Sequence, residues 1–87
     1  MKEVITGLET IASTVERNSD VLKVEQAIKA IRDLIKNHEL PLLKELDTEL
    51  ATWQSKLSVI LKEPVGKKGM AKHARFWAER IESLRGA

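Results

Sequence analysis

One stretch of the chain spaces its apolar residues alternately three and four positions apart for nearly three heptads. This spacing places the apolar side chains on one face of an α-helix, predicted from about residue 41 to residue 63. Its apolar positions are Leu43, Leu46, Leu50, Trp53, Leu57 and Ile60. Because such a helix gains most of its stability from covering its apolar face, the sequence predicts packing against other helices.

Three further segments have helical apolar stripes, and they are predicted at about residues 3–17, 20–37 and 70–84. Their apolar positions are Val4, Leu8, Ile11, Ala12 and Val15 in the first, Val21, Val24, Ala27, Ile28, Ile31, Leu34 and Ile35 in the second, and Met70, Ala74, Trp77, Ile81 and Leu84 in the last. No run of residues alternates with a period of two, which argues against a β-sheet.

The first two stripes do not lie on one face of a single straight helix, so we predict a break at Asn18-Ser19-Asp20. Asparagine tolerates the left-handed conformation that ends helices, and serine is a good N-cap for the next helix. The alternative is one long helix over residues 3–36. Pro41 predicts a second break, since proline disfavours helix in the preceding residue and suits the first helical turn.

Pro64 is expected to end the third helix, with a loop at residues 65–69 before the fourth. Short connections between amphipathic helices specify antiparallel neighbours, so we predict an all-α, up-down antiparallel bundle of four helices. A bundle of three helices with a long first helix is the alternative. The 87 residues suffice for a single domain, 1–87. In an antiparallel pair of helices, the residue numbers of facing positions have a constant sum. The predicted connections give a sum of about 79 for the second and third helices and about 133 for the third and fourth. The second register places Leu57 beside Phe76 or Trp77.

Composition argues against several classes of function. The chain has no cysteine and two histidines, so neither a disulfide nor a metal site is expected. His38 falls in a predicted turn, and no serine, threonine or carboxylate has a catalytic partner at a recognisable spacing. We therefore expect no enzyme and no cofactor. The first 20 residues do not form a secretory signal, and no apolar run could span a bilayer, so a cytoplasmic location without membrane contact is expected.

Positive charge is concentrated near the C-terminus. Residues 1–63 have a net charge of −2 and residues 64–87 a net charge of +4. Two lysines, Lys67 and Lys68, lie between Gly66 and Gly69 just before the predicted fourth helix. Free N–H groups and the dipole at a helix N-terminus could bind an anion there. The alternative is a solvated loop whose lysines serve solubility.

Phe76 lies about 120° from the centre of the apolar stripe of its own helix. Three interpretations remain open: packing on the first helix, packing on a second subunit, and contact with a different protein, since aromatic residues are enriched at binding hot spots. The candidate partner-binding or anion-binding residues are Lys67, Lys68, Lys72, Arg75, Phe76 and Arg80.

The sequence predicts a non-enzymatic protein–protein interaction module that self-associates, as a homodimer or another homo-oligomer, or binds a different protein. An accessory nucleic-acid-binding or anion-binding protein that uses the basic segment 67–85 is the alternative, although dedicated nucleic-acid-binding domains have a larger basic excess. A helical enzyme or ligand carrier would need a pocket between the helices.

Overall fold

The computed structural model describes residues 2–17 and 20–86, and these residues form four α-helices in sequence order. The helices are α1 (Lys2–Arg17), α2 (Val21–Ile35), α3 (Pro41–Ile60) and α4 (Pro64–Gly86). Each helix packs on the next, and α4 packs back on α1. The bundle is 36 Å long, about the length of a 23-residue helix. The predicted all-α, up-down bundle of four helices is confirmed.

Packing is uneven around this ring of helices. The most extensive packing is between α1 and α4, and the least extensive is between α3 and α4. Small side chains explain the close fit of α4 on the bundle, because Ala71, Ala74 and Ala78 are all buried. The last helix is therefore held mainly by the first.

The core is one cluster of buried side chains that contains most residues of the predicted apolar stripes, together with Ile5, Leu61, Ala71 and Ala78, which lie outside those stripes. No polar or charged residue within the described ranges is buried. Three predicted core residues are wrong, because Val21, Leu34 and Leu84 are between 41% and 51% exposed. Val21 is the first residue of α2 and Leu84 lies near the end of α4, where a neighbouring helix covers less of the stripe. None of the four helices, as far as they are described, combines the length and apolarity needed to cross a membrane.

The break between α1 and α2 is confirmed, and the alternative of one long helix is wrong. Asp20 has an extended backbone with φ −69° and ψ 102°, and its side chain accepts a hydrogen bond from the backbone N–H of Lys23. This side-chain bond satisfies a donor that the first turn of a helix leaves unpaired. The predicted roles of Asn18 and Ser19 lie outside the described residues, and the N-cap of α2 is Asp20.

The connection between α2 and α3 follows the prediction. Leu40 is extended and Pro41 is the first residue of α3, while His38 lies in the turn. Across these helices, Nε of Arg32 lies 2.9 Å from Oδ1 of Asp47. Their residue numbers sum to 79, but the same guanidinium also donates a 2.8 Å hydrogen bond to Oε1 of Gln54, a pair whose numbers sum to 86. Arg32 therefore lies between positions 47 and 54 of α3, so the antiparallel packing is as predicted but the register is not fixed at 79.

The predicted connection between α3 and α4 is wrong. α3 ends at Ile60 and α4 begins at Pro64, so residues 65–69 are helical and the chain reverses over residues 61–63. Proline suits the first position of a helix as well as it ends one, and here it begins one. The earlier start moves facing residues by about two turns. Trp77 consequently meets Glu49 rather than Leu57.

Candidate interaction surface

All six predicted site residues lie on α4, but the helix separates them into different environments. Lys67 is partly buried, while the other five are exposed. At about 100° per residue, four of the six lie on the side of α4 that faces away from the bundle. These four are Lys68, Lys72, Phe76 and Arg80.

The two glycines do not form the predicted loop. The backbone N–H of Lys67 donates a 3.1 Å hydrogen bond to the carbonyl oxygen of Glu63, as in a regular helical turn. A side chain at Gly66 would clash with the carbonyl oxygen of Ile60, so this glycine permits the close approach of α4 to the end of α3. Gly69 has open space around it. The proposed glycine-flanked anion loop before the helix is therefore wrong.

Arg75 lies about 20° from Lys68 around α4, on the side of the helix that borders α1. Its guanidinium donates two hydrogen bonds to the carboxylate of Glu16 on α1, the longer of them 2.7 Å. These hydrogen bonds lower the pKa of Glu16 below its ordinary value and raise the pKa of Arg75. The pair connects α4 to α1, so we assign Arg75 to the bundle rather than to a partner site.

Phe76 is 50% exposed, so the interpretation that it is buried against the first helix is wrong. Its ring contacts the buried Trp77 edge to face, with centroids 6.3 Å apart. The guanidinium carbon of Arg80 lies 5.5 Å from the centroid of the Phe76 ring and 5.3 Å from that of Trp77. Such cation–π contacts restrict both the arginine and the exposed ring. Phe76 is thus presented to solvent with Arg80 beside it.

We define the outer face of α4 as the exposed side chains around Phe76, on the side of the helix opposite its buried residues. It consists of Val65, Lys68, Gly69, Lys72, Phe76, Glu79, Arg80 and Ser83, all of them exposed. Val65 is the most exposed large apolar residue within the described ranges, at 80%. This face combines two apolar side chains with three cations and one carboxylate.

An open groove between α1 and α4 adjoins this face. Its walls contain the buried residues Ile5 and Ala78 and the carboxylates of Glu9, Glu79 and Glu82. Arg75 and Ser83 also line the groove, which therefore has three carboxylates and one guanidinium and shares Glu79 and Ser83 with the outer face. The groove is open to solvent, which does not suit a carrier that encloses a small molecule.

The polar contacts of Glu49 with His73 and Trp77, between α3 and α4, were not predicted from the sequence. Oε1 of Glu49 accepts a 2.6 Å hydrogen bond from the indole N–H of Trp77 and lies 3.2 Å from Nδ1 of His73. Their spacing in the sequence gave no signal, because the contacts depend on where the chain reverses between α3 and α4. These residues fix the orientation of Trp77 and, through it, of the aromatic pair.

The residues that the structure describes do not bring together a set of metal ligands. Within them, no three histidine or acidic side chains are placed to hold a metal ion. Each of the carboxylates Asp47, Glu49, Glu79 and Glu82 is at least partly exposed, which is not the buried, apolar setting typical of a general acid. The absence of enzymatic activity stays a prediction.

Comparisons with known proteins do not indicate a function for the outer face of α4. No protein-family model, curated protein or solved structure matches the chain. The functional argument therefore rests on the outer face of α4 and on the contacts that hold it.

Proposed function

We propose that this protein is a non-enzymatic interaction module that self-associates through the outer face of α4. The observation that carries the proposal is the half-exposed ring of Phe76, in a chain with three aromatic residues. Both tryptophans are buried in the core, whereas Phe76 is held at the surface. Aromatic and arginine side chains supply much of the binding energy at protein interfaces.

The contacts around Phe76 support this role. The guanidinium of Arg80 lies over the Phe76 ring, and the buried Trp77 contacts the same ring edge to face. Since Trp77 is itself hydrogen-bonded to Glu49, the side chain that the Phe76 ring contacts is held in one orientation. A side chain that is already ordered loses less conformational entropy on binding.

Sedimentation analysis over a range of protein concentrations tests the proposal. We expect the wild-type chain to associate as its concentration rises, and we expect Phe76→Asp to remain monomeric. Val59→Asp is the matched control, because Val59 is 69% exposed on α3 and lies outside the outer face. A wild-type chain that stays monomeric at every accessible concentration, or equal effects of the two substitutions, would contradict the proposal.

The second candidate is binding of single-stranded nucleic acid or another polyanion. The observation that favours it is the exposure of Lys68, Lys72 and Arg80 beside an aromatic ring, since cations and aromatic side chains together bind single strands. The engagement of Arg75 by Glu16 and the presence of Glu79 in the same face weaken this candidate. The proposed cytoplasmic location suits either function.

Salt dependence separates the two candidates. Polyanion binding should weaken steeply as salt is raised and should be lost in a Lys68→Glu, Lys72→Glu variant. Unchanged binding of single-stranded DNA or RNA by that variant would remove the second candidate. Self-association centred on an aromatic contact should depend less on salt, because only its peripheral ion pairs are screened.

A further inference from the structure

We propose that two copies of the chain pair through α4 in antiparallel orientation, with a two-fold axis close to Phe76. This inference rests on the proposed self-association and adds its geometry. The partner is a second copy because Lys72 and Glu79, which flank Phe76, are complementary to the same two residues of that face turned end for end. The other two cations of the face, Lys68 and Arg80, then lie opposite positions 83 and 71, neither of which is charged.

Residue spacing supports a helix–helix contact along this face. Val65, Gly69, Lys72, Phe76, Glu79 and Ser83 follow one another at intervals of four, three, four, three and four positions. This is the spacing with which α3 contributes to the core, and it forms a continuous row along a helix. Unlike the row on α3, the row on α4 is exposed along its whole length. The row therefore supplies a second packing face on the last helix.

Charge along the row determines the orientation of the pair. Lys72 lies four positions before Phe76, and Glu79 lies three positions after it. In an antiparallel pair centred near residue 76, Lys72 of each copy faces Glu79 of the other copy, and the two Phe76 rings lie next to each other. A parallel pair would place Lys72 beside Lys72 and Glu79 beside Glu79. Because like charges repel, the antiparallel arrangement is favoured.

The two-fold arrangement accounts for the central position of the exposed ring. In an isologous contact every pair of residues occurs twice, so each copy contributes one Lys72–Glu79 contact. Two aromatic rings near the axis add an aromatic contact to these ion pairs. A single helix pair buries an area at the low end of specific interfaces, and we therefore expect micromolar or weaker affinity.

The test combines single and paired charge reversals in sedimentation equilibrium at low salt. We expect Lys72→Glu alone, and Glu79→Lys alone, to weaken association roughly ten-fold to thirty-fold, because each creates two like-charge contacts per dimer. An equimolar mixture of the two single variants should associate about as tightly as the wild type. A chain that carries both substitutions should also associate about as tightly as the wild type, because each Lys72–Glu79 contact is restored with its charges exchanged.

Three controls distinguish the arrangements. Circular dichroism should show an unchanged helical content in every variant, which excludes unfolding as the cause. Lys56→Glu, on the exposed side of α3, should leave association unchanged. Glu9→Lys should also have no effect. A loss of association in Glu9→Lys would instead indicate that the cations of one copy occupy the groove between α1 and α4 of another.

The outcomes separate this inference from the proposed function. If the wild type associates and Phe76→Asp abolishes association, the proposed function holds. If, in the same experiments, the single charge reversals associate as tightly as the wild type, the antiparallel arrangement is overturned and a parallel pair explains the data. If the wild type remains monomeric, both proposals fall.

Discussion

The indole Nε1 of Trp77 donates a 2.6 Å hydrogen bond to Oε1 of Glu49 and thereby joins α4 to α3. Packing between these two helices is the least extensive of the four helix pairs. The acceptor is a partly exposed carboxylate, whereas Trp77 is only 7% exposed. The bond therefore fixes both the register of α4 on α3 and the position of the ring that supports Phe76.

Replacement of Glu49 should destabilise the bundle through this bond. Glu49→Ala leaves the buried indole N–H without its acceptor, and we expect a loss of about 1–3 kcal/mol in the free energy of unfolding. Glu49→Gln retains an oxygen acceptor and should cost less. Chemical denaturation followed by tryptophan fluorescence measures the difference. Glu45→Ala, one turn earlier on an exposed position, is the control, and equal losses at both positions would contradict the assignment.

Two glycines of α4 should respond in opposite directions to alanine. At Gly66 a Cβ would clash with the carbonyl oxygen of Ile60, so Gly66→Ala should destabilise the protein by about 1–3 kcal/mol. Gly69 has no atom within 4 Å of an added Cβ, and Gly69→Ala should stabilise the helix by up to about 1 kcal/mol. Melting temperatures of the two variants test this. Destabilisation by both would show that the close approach is not specific to Gly66.

The ion pair between Glu16 and Arg75 should make stability depend on pH in the acidic range. Since the pair lowers the pKa of Glu16 in the folded state, its contribution is present above the ordinary value of 4.5 and is lost as the pH falls through the lower folded pKa. Glu16→Gln should therefore be less stable than the wild type at pH 7, and the difference should disappear in acid.

Urea denaturation of the wild type, Glu16→Gln, Arg75→Gln and the double variant measures this coupling. The two single variants should lose similar stability at neutral pH, and the second substitution should add little to the first. Additive losses at pH 7, or a difference that persists at low pH, would mean that the contact does not contribute to stability.

The N-cap of α2 gives a further prediction. Asp20→Ala removes the acceptor for the backbone N–H of Lys23 and should cost about 1 kcal/mol. Asp20→Asn keeps an oxygen at the same place and should retain most of the stability. Thermal unfolding monitored by circular dichroism provides the comparison. Equal losses in the alanine and asparagine variants would show that the charge of Asp20, rather than its hydrogen bond, matters.

The sequence could predict those parts of the fold that depend on local spacing. The stripe from Leu43 to Ile60 and the break before Pro41 each depend on residues close in the chain, and the structure has both. The antiparallel packing of α2 on α3 followed from them, but the exact register did not, because Arg32 contacts both Asp47 and Gln54. Periodicity also identified Phe76 as a residue off the stripe, and its ring is exposed.

The errors have a common physical origin, since proline can either end a helix or begin one. The sequence predicted that Pro64 ends the third helix, because the next apolar stripe starts at Met70, but Pro64 begins α4. The hydrogen bond from the backbone N–H of Lys67 to Glu63 and the fit of Gly66 against Ile60 show that the helix already contains this glycine. The partners of Glu49 and Arg75 then could not be predicted, because both depend on how α4 is placed on the bundle.

The dominance of the contact between α1 and α4 has a consequence for biosynthesis. The most extensive close approach of backbones in the bundle is between its first and last helices, so the apolar stripe of α1 stays uncovered on one side until α4 has been synthesised. Contacts between residues so distant in the chain form late and slow the closure of a small domain. A nascent chain that is stalled before Pro64 should accordingly be cleaved readily by proteases and bound by chaperones.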